Sequence, residues 1–175
     1  KYSFTSWIAG FLLYTIGTVI ILQASVIFSI VVIGFLTPMI LRILHKRYYS
    51  HLELHGYGTW FSPIWVLFKS SFMMIFLFVI LIPVYFVPVL NIIAFSIPFY
   101  YFFHKLLNFD VSSTILSAEQ YKIIYEKEAN NFRIRTLFLY FISMIPFATL
   151  FTAVYYIIYL GHAYFVKLDE LEKES

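Results

Sequence analysis

An all-α integral membrane fold is predicted by three observations. The 175 residues are 62% hydrophobic and 12% charged, where a soluble domain carries about a quarter charged residues. Residues 6–41 contain no charge. Two later apolar runs, 70–103 and 136–166, are each bounded by Lys or Arg. Such uncharged stretches outlast the core helices of soluble proteins, which end within about twenty residues. Their solvent is lipid. The expected architecture is one long transmembrane helix, two half-penetrating (re-entrant) helical hairpins and a surface amphipathic helix, in one membrane domain spanning 1–175. Its parts are a long helix with its exit at 1–55, a first hairpin at 64–107, a surface helix at 117–131 and a second hairpin at 132–168.

The first run, at about 1.5 Å per residue, exceeds the roughly 30 Å of a bilayer's hydrocarbon, so one crossing is secure. Gly34 and Thr37-Pro38 fall late in it, and proline removes a backbone donor and crowds the preceding turn, which predicts a kink or a restart. The exit is amphipathic: Arg42, His45, Lys46, Tyr49, Ser50 and Glu53 share one side, with Ile40, Ile43, Leu44 and Leu52 largely opposite.

The second run is interrupted by Pro83 and Pro88. Two full crossings need about forty apolar residues and a polar turn, so the expectation is a hairpin that enters and leaves on one side, with Lys69 and Lys105 both at the interface. Residues 108–135 turn polar. Ser117 and Gln120 form a capping-box pattern, starting a helix that rests Tyr121, Ile124, Tyr125 and Glu128 on lipid or protein and leaves Lys122, Glu126 and Lys127 solvated. The third run repeats the second, with basic entry at Arg133 and Arg135, a central Ile145-Pro146 and exit at Lys167. Ile82-Pro83 with Asp110 and Ile145-Pro146 with Asp169 outline an approximate internal repeat, a common feature of transporters. The acidic tail is expected to be solvated.

Without cysteine, a disulfide framework or thiolate site is excluded. The net charge of +3 comes from Lys and Arg beside membrane segments, which fits positive-inside topology with cytoplasmic basic ends and no nucleic-acid partner. Lys1 is not an initiator Met and no signal-like segment follows, so further residues are expected upstream. No nucleophile elbow, phosphate-binding Gly loop or thiol is present. The class expected is not an enzyme, and no cofactor is implied.

Leu36-Thr-Pro38 before an amphipathic exit, Ile82-Pro83 with Pro88-Val-Leu90, Met144-Ile-Pro146 and Leu160-Gly-His-Ala163 resemble the CysZ family of sulfate transport proteins. That family shares a superfamily with the eukaryotic etoposide-induced membrane protein. The resemblance implies long transmembrane helices with two pairs of half-penetrating hairpins in the inner membrane, assembly as a homo-oligomer, and passage of sulfate for cysteine synthesis. The family's anion-contacting Gly-Leu-Arg triplet does not occur among these residues, so that site is not carried over.

Helices that begin within the bilayer, after Pro83 or Pro88 and after Pro146, present unpaired amides and a positive dipole end that suit an anion. Asn91 and Thr149 are the expected lining of such a path, and Arg42 and Lys46, with Arg47, form an anion-concentrating vestibule or a face for acidic lipid headgroups. His51 and His55 are four apart, which on a helix is a metal-capable spacing, but no third ligand is near. Gly56 is expected to end that helix, with His55 at its negative terminus. His104 and His162, close to the ends of apolar runs, are expected to snorkel. Tyr48, Tyr49, Trp60, Trp65, Tyr100 and Tyr101 read as an aromatic belt. The alternative function is a non-transporting scaffold or subunit, since no charge lies within the apolar runs.

Overall fold

In the computed structural model, which describes residues 4–59, 61–87, 90–145 and 148–174, six helices run in order. They are α1 (Phe4–Tyr48), α2 (Ser62–Ile80), α3 (Ile82–Tyr85), α4 (Leu90–Ile115), α5 (Ala118–Ser143) and α6 (Ala148–Glu174). No strand occurs among the described residues. α2 with α3 and α4 forms one helical hairpin, and α5 with α6 forms the second. α1 packs chiefly on α6 and then on α4.

α1 differs from expectation in being one helix of 45 residues with Pro38 inside it. No restart follows Thr37. The Thr37 hydroxyl donates to the Ile33 carbonyl at 2.7 Å. Gly34, whose carbonyl the proline leaves without a donor, has no side chain to crowd the ring. The exit also ends earlier: α1 stops at Tyr48, and Gly56, with φ +26°, lies in the loop after it. Ile40, Leu44 and Leu52 are buried as expected. Ile43 is exposed.

Among the described residues, three helical stretches are long and apolar enough to cross a membrane: Ile20–Tyr48, Ser62–Ile80 and Leu90–Ile115. The hairpin extends past the charge-bounded run 70–103 at both ends because Lys69 and Lys105 sit inside helices rather than at their ends. Lysine stems lie along apolar surface while their heads reach out, so a lysine need not end an apolar helix. The expected surface helix is the first half of α5, which continues unbroken into the second hairpin. Between Asn130 and Arg133 there is neither proline nor glycine to stop it. Its capping box is complete: the Gln120 amide donates to Ser117 Oγ, and the Ser117 amide donates to Gln120 Oε1 at 2.8 Å.

The core lies where α1, α4, α5 and α6 meet, and includes Leu41, Phe103, Leu107, Tyr156, Leu160 and Phe165. Phe132 stacks on Tyr164 with centroids 4.2 Å apart, and Tyr49 stacks on Phe165 at 4.6 Å. α2 contributes only Ser70 to the buried set. Phe78 packs edge-on against Phe95 and Phe99 of α4, while Ile64, Trp65, Phe68, Phe72, Ile75 and Val79 are exposed, as lipid contact requires. Between lipid-facing helices close packing replaces hydrophobic drive, and small residues permit it. Gly161 does this for α1 and α6: a Cβ there would lie 2.5 Å from Leu41 Cδ2.

Candidate functional site

Asn91 lies in the first turn of α4, half-buried, and its amide donates to the Val87 carbonyl at 3.1 Å. No side-chain hydrogen bond engages it among the described residues. Thr149 lies in the first turn of α6, but its side chain is outside the described part, as are Pro88 and Pro146. Pro83 sits exposed in α3. Both helices thus begin just after a hairpin turn, where their first amides lack helical acceptors.

Arg42 and Lys46 are exposed, one helical turn apart near the end of α1, with no ion-pair partner among the described residues. Arg47 stands 5.5 Å from the Tyr48 ring centroid. They make a basic edge and do not converge with Asn91.

A polar cluster that the sequence reading missed lies inside the apolar bundle. Gln23 of α1, Tyr140 and Ser143 of α5 and Tyr156 of α6 are all buried. The Tyr140 hydroxyl lies 3.2 Å from Gln23 Oε1 and 3.1 Å from the Ser96 carbonyl of α4, its single proton shared between them. Ser143 Oγ lies 3.3 Å from the Tyr156 hydroxyl. Ser25 Oγ reaches the Ile145 carbonyl at 3.4 Å, tying α1 to the second turn. The available signal was Gln23, the only amide side chain in the charge-free run 6–41.

A second buried network joins α4, α5 and α6 nearer their other ends. His104 is almost fully buried, which corrects the expectation that it snorkels. Its Nδ1 lies 2.6 Å from Thr136 Oγ1 and 3.0 Å from Asn108 Nδ2. Asn108 Nδ2 donates to the His104 carbonyl at 2.7 Å, so the amide's orientation is set, and its Oδ1 accepts from the Tyr164 hydroxyl at 2.8 Å. Satisfied in this way, the group holds three helices in register. Asp110, three residues before Ser113 on α4, brings its carboxylate against α1: a Cβ on Gly34 would lie 3.1 Å from Asp110 Oδ2. No ion pair engages Asp110 among the described residues.

His51 and His55 share no helix face, because α1 has ended before them. His51 Nε2 lies 3.1 Å from Asp169 Oδ1, while His55 Nδ1 meets the Glu53 carbonyl at 3.1 Å. His55 therefore caps no helix terminus. No group of three His, Cys, Asp or Glu gathers among the described residues. His162 is exposed and hydrogen-bonds the Tyr49 hydroxyl.

Ion pairs join the polar ends of α5 and α6. Lys167 Nζ is 2.9 Å from Glu128 Oε1 and 2.8 Å from Glu170 Oε2. The hydrogen bond from Lys167 holds the Glu128 carboxyl below its ordinary range, and the bonds to Glu170 and then Glu128 raise Lys167. Lys173 and then His51 lower Asp169.

Long outward-facing apolar helices with buried polar clusters between them define a helical membrane protein. The family model described as Sulfate transporter CysZ/Etoposide-induced protein 2.4 matches residues 2–153. The chain belongs to that family. No curated protein and no solved structure matches it.

Proposed function

We propose that the chain is an anion channel or permease of the cell's inner membrane, with sulfate as its substrate, feeding cysteine synthesis. The observation that carries this reading is the family match over residues 2–153 of a chain with three membrane-type helices. Two features support it. The buried cluster of Gln23, Tyr140, Ser143 and Tyr156 places an amide and three hydroxyls among largely apolar helices. α4 and α6 start directly after the two turns, and a helix start favours an anion through its dipole without burying a full counter-charge, although the Asn91 and Ala148 amides there already donate to the Val87 and Ile145 carbonyls.

In this reading the two hairpins penetrate half the bilayer, Asn91 and Thr149 line the path at the helix starts, and Arg42 and Lys46 gather anions at a cytoplasmic vestibule. Basic helix ends face the cytoplasm. The protein works as a homo-oligomer, which would cover apolar side chains such as Phe35 of α1 and Phe72 of α2, both exposed. The chain performs no catalysis. The competing reading, a non-transporting scaffold or subunit, draws on the absence of Lys and Arg within the apolar runs.

Growth tests this directly. Bacterial cells disabled in sulfate uptake and producing the chain should grow on limiting sulfate, with growth slowed in the Asn91→Ala/Thr149→Ala double variant. Growth only when cysteine is supplied, with the chain present in the membrane, would favour the scaffold.

A further inference from the structure

Away from the buried clusters, a cavity of about 590 Å³ opens between Tyr57, Thr59 and Phe61 ahead of α2, the first half of α2, α4 and the start of α5. Its size falls within the roughly 300–1,000 Å³ of small-molecule sites. Lys69 of α2 and Lys105 of α4 both line it, and no acidic side chain does. Neither lysine has an ion-pair partner among the described residues, whereas Lys127, Lys167 and Lys173 are all paired. Lys105 is instead steadied by aromatic faces, its Nζ 5.3 Å from the Tyr125 centroid and 5.9 Å from that of Tyr101.

Two unpaired like charges around one cavity repel unless an anion lies between them. The cavity also offers a directed donor. Thr59 Oγ1 and Ser62 Oγ are 2.6 Å apart, and both residues line the wall. One of the two hydroxyl protons bridges them, and the other is free for a ligand. Trp65 walls the mouth and is 67% exposed, with Phe61 and Ile64 exposed beside it. Amphipathic aromatics in such a position belong at headgroup depth.

We infer that this cavity binds a tetrahedral oxyanion, held between Lys69 and Lys105 and oriented by the Thr59–Ser62 hydroxyl pair. A phosphodiester headgroup of an anionic lipid and a free sulfate present the same chemistry to these groups. The lysines supply charge without fixed direction, and the hydroxyl supplies direction. The site is independent of transport: a chain that binds the anion here and moves no sulfate leaves it standing.

The test uses the full chain in phosphatidylcholine nanodiscs, with sulfate titrated calorimetrically, and a parallel set in which added phosphatidylglycerol retained by the protein is counted by native mass spectrometry. Lys69→Gln/Lys105→Gln is compared with Lys122→Gln, an exposed lysine outside the cavity. Sulfate affinity weakened about tenfold in the double variant alone identifies a free anion as occupant. Loss of retained phosphatidylglycerol in the double variant alone identifies a lipid headgroup. Unchanged sulfate affinity and unchanged lipid retention overturn the site, as does a loss equal in Lys122→Gln. Lys69→Gln on its own, at an exposed position, carries the test should the double variant fail to fold.

Discussion

Gly161 governs how closely α1 and α6 approach. A methyl there meets Leu41 Cδ2 at 2.5 Å and Leu44 Cδ2 at 3.2 Å, and both leucines are buried with little room to turn. Overpacking of this kind costs about 1–3 kcal/mol. Gly161→Ala should therefore lower the thermal midpoint in detergent. Gly17 is the control, since nothing lies within 4 Å of an added Cβ. Gly17→Ala should be neutral or stabilising by up to about 1 kcal/mol, because alanine favours helix. Equal midpoints for the two variants would mean that α1 and α6 do not pack at Gly161. The same scale shows why sequence alone misses one functional-looking residue and misplaces another. Tyr140 is one of 15 tyrosines among 21 phenylalanines, and in so aromatic a chain helical period cannot single out the one that bridges α1, α4 and α5. His104 sits beside Lys105 at the edge of an apolar run, so its burial depends on Thr136 and Asn108, whose convergence only the packing of α4 on α5 reveals.

Helix starts were more legible than helix ends. The Ser117–Gln120 box marks α5 by local chemistry alone and is present in full, whereas the continuation of α1 through Pro38 depends on Gly34 and on the Thr37 hydroxyl. The apolar runs were legible because charge is so costly in lipid that its absence over thirty residues has one physical reading. Where lysines stand inside helices, as Lys69 and Lys105 do, charge no longer marks the boundary. Between α5 and α6 the Glu128–Lys167 pair, 2.9 Å apart, gives the bundle an acid dependence. Glu128 titrates below its ordinary value of 4.5, held down first by the Lys167 hydrogen bond. A carboxylate depressed in the fold stabilises it above its unfolded pKa, and that contribution fades as pH falls through the folded value. Glu128→Gln should melt about 2–4 °C or less below the parent at neutral pH, the pair being partly exposed, and the two should converge in acid, once pH has fallen below the lowered folded value of Glu128. A gap that persists in acid would assign the loss to packing.

For the whole molecule, the two hairpins are the feature on which topology turns. α2 at 19 residues and α4 at 26 are each long enough to cross, while the basic residues at 69, 105, 133, 135 and 167 argue for entry and exit on one side. The chain has no cysteine, so single-cysteine variants report cleanly. Under the half-penetrating arrangement, Ile145→Cys and Phe86→Cys in intact cells resist membrane-impermeant maleimide from outside, while Glu119→Cys labels only after the cytoplasmic face is opened. Labelling of either turn from outside would make the hairpins full crossings.

The most direct measurement is flux. The purified chain, reconstituted in liposomes with a sulfate gradient, should admit radiolabelled sulfate faster than protein-free liposomes, and Gln23→Ala and Tyr140→Phe should slow entry while leaving the melting temperature above the assay temperature. Sulfate entry no faster than through protein-free bilayers, from protein shown to be folded and inserted, would contradict an anion path through this chain.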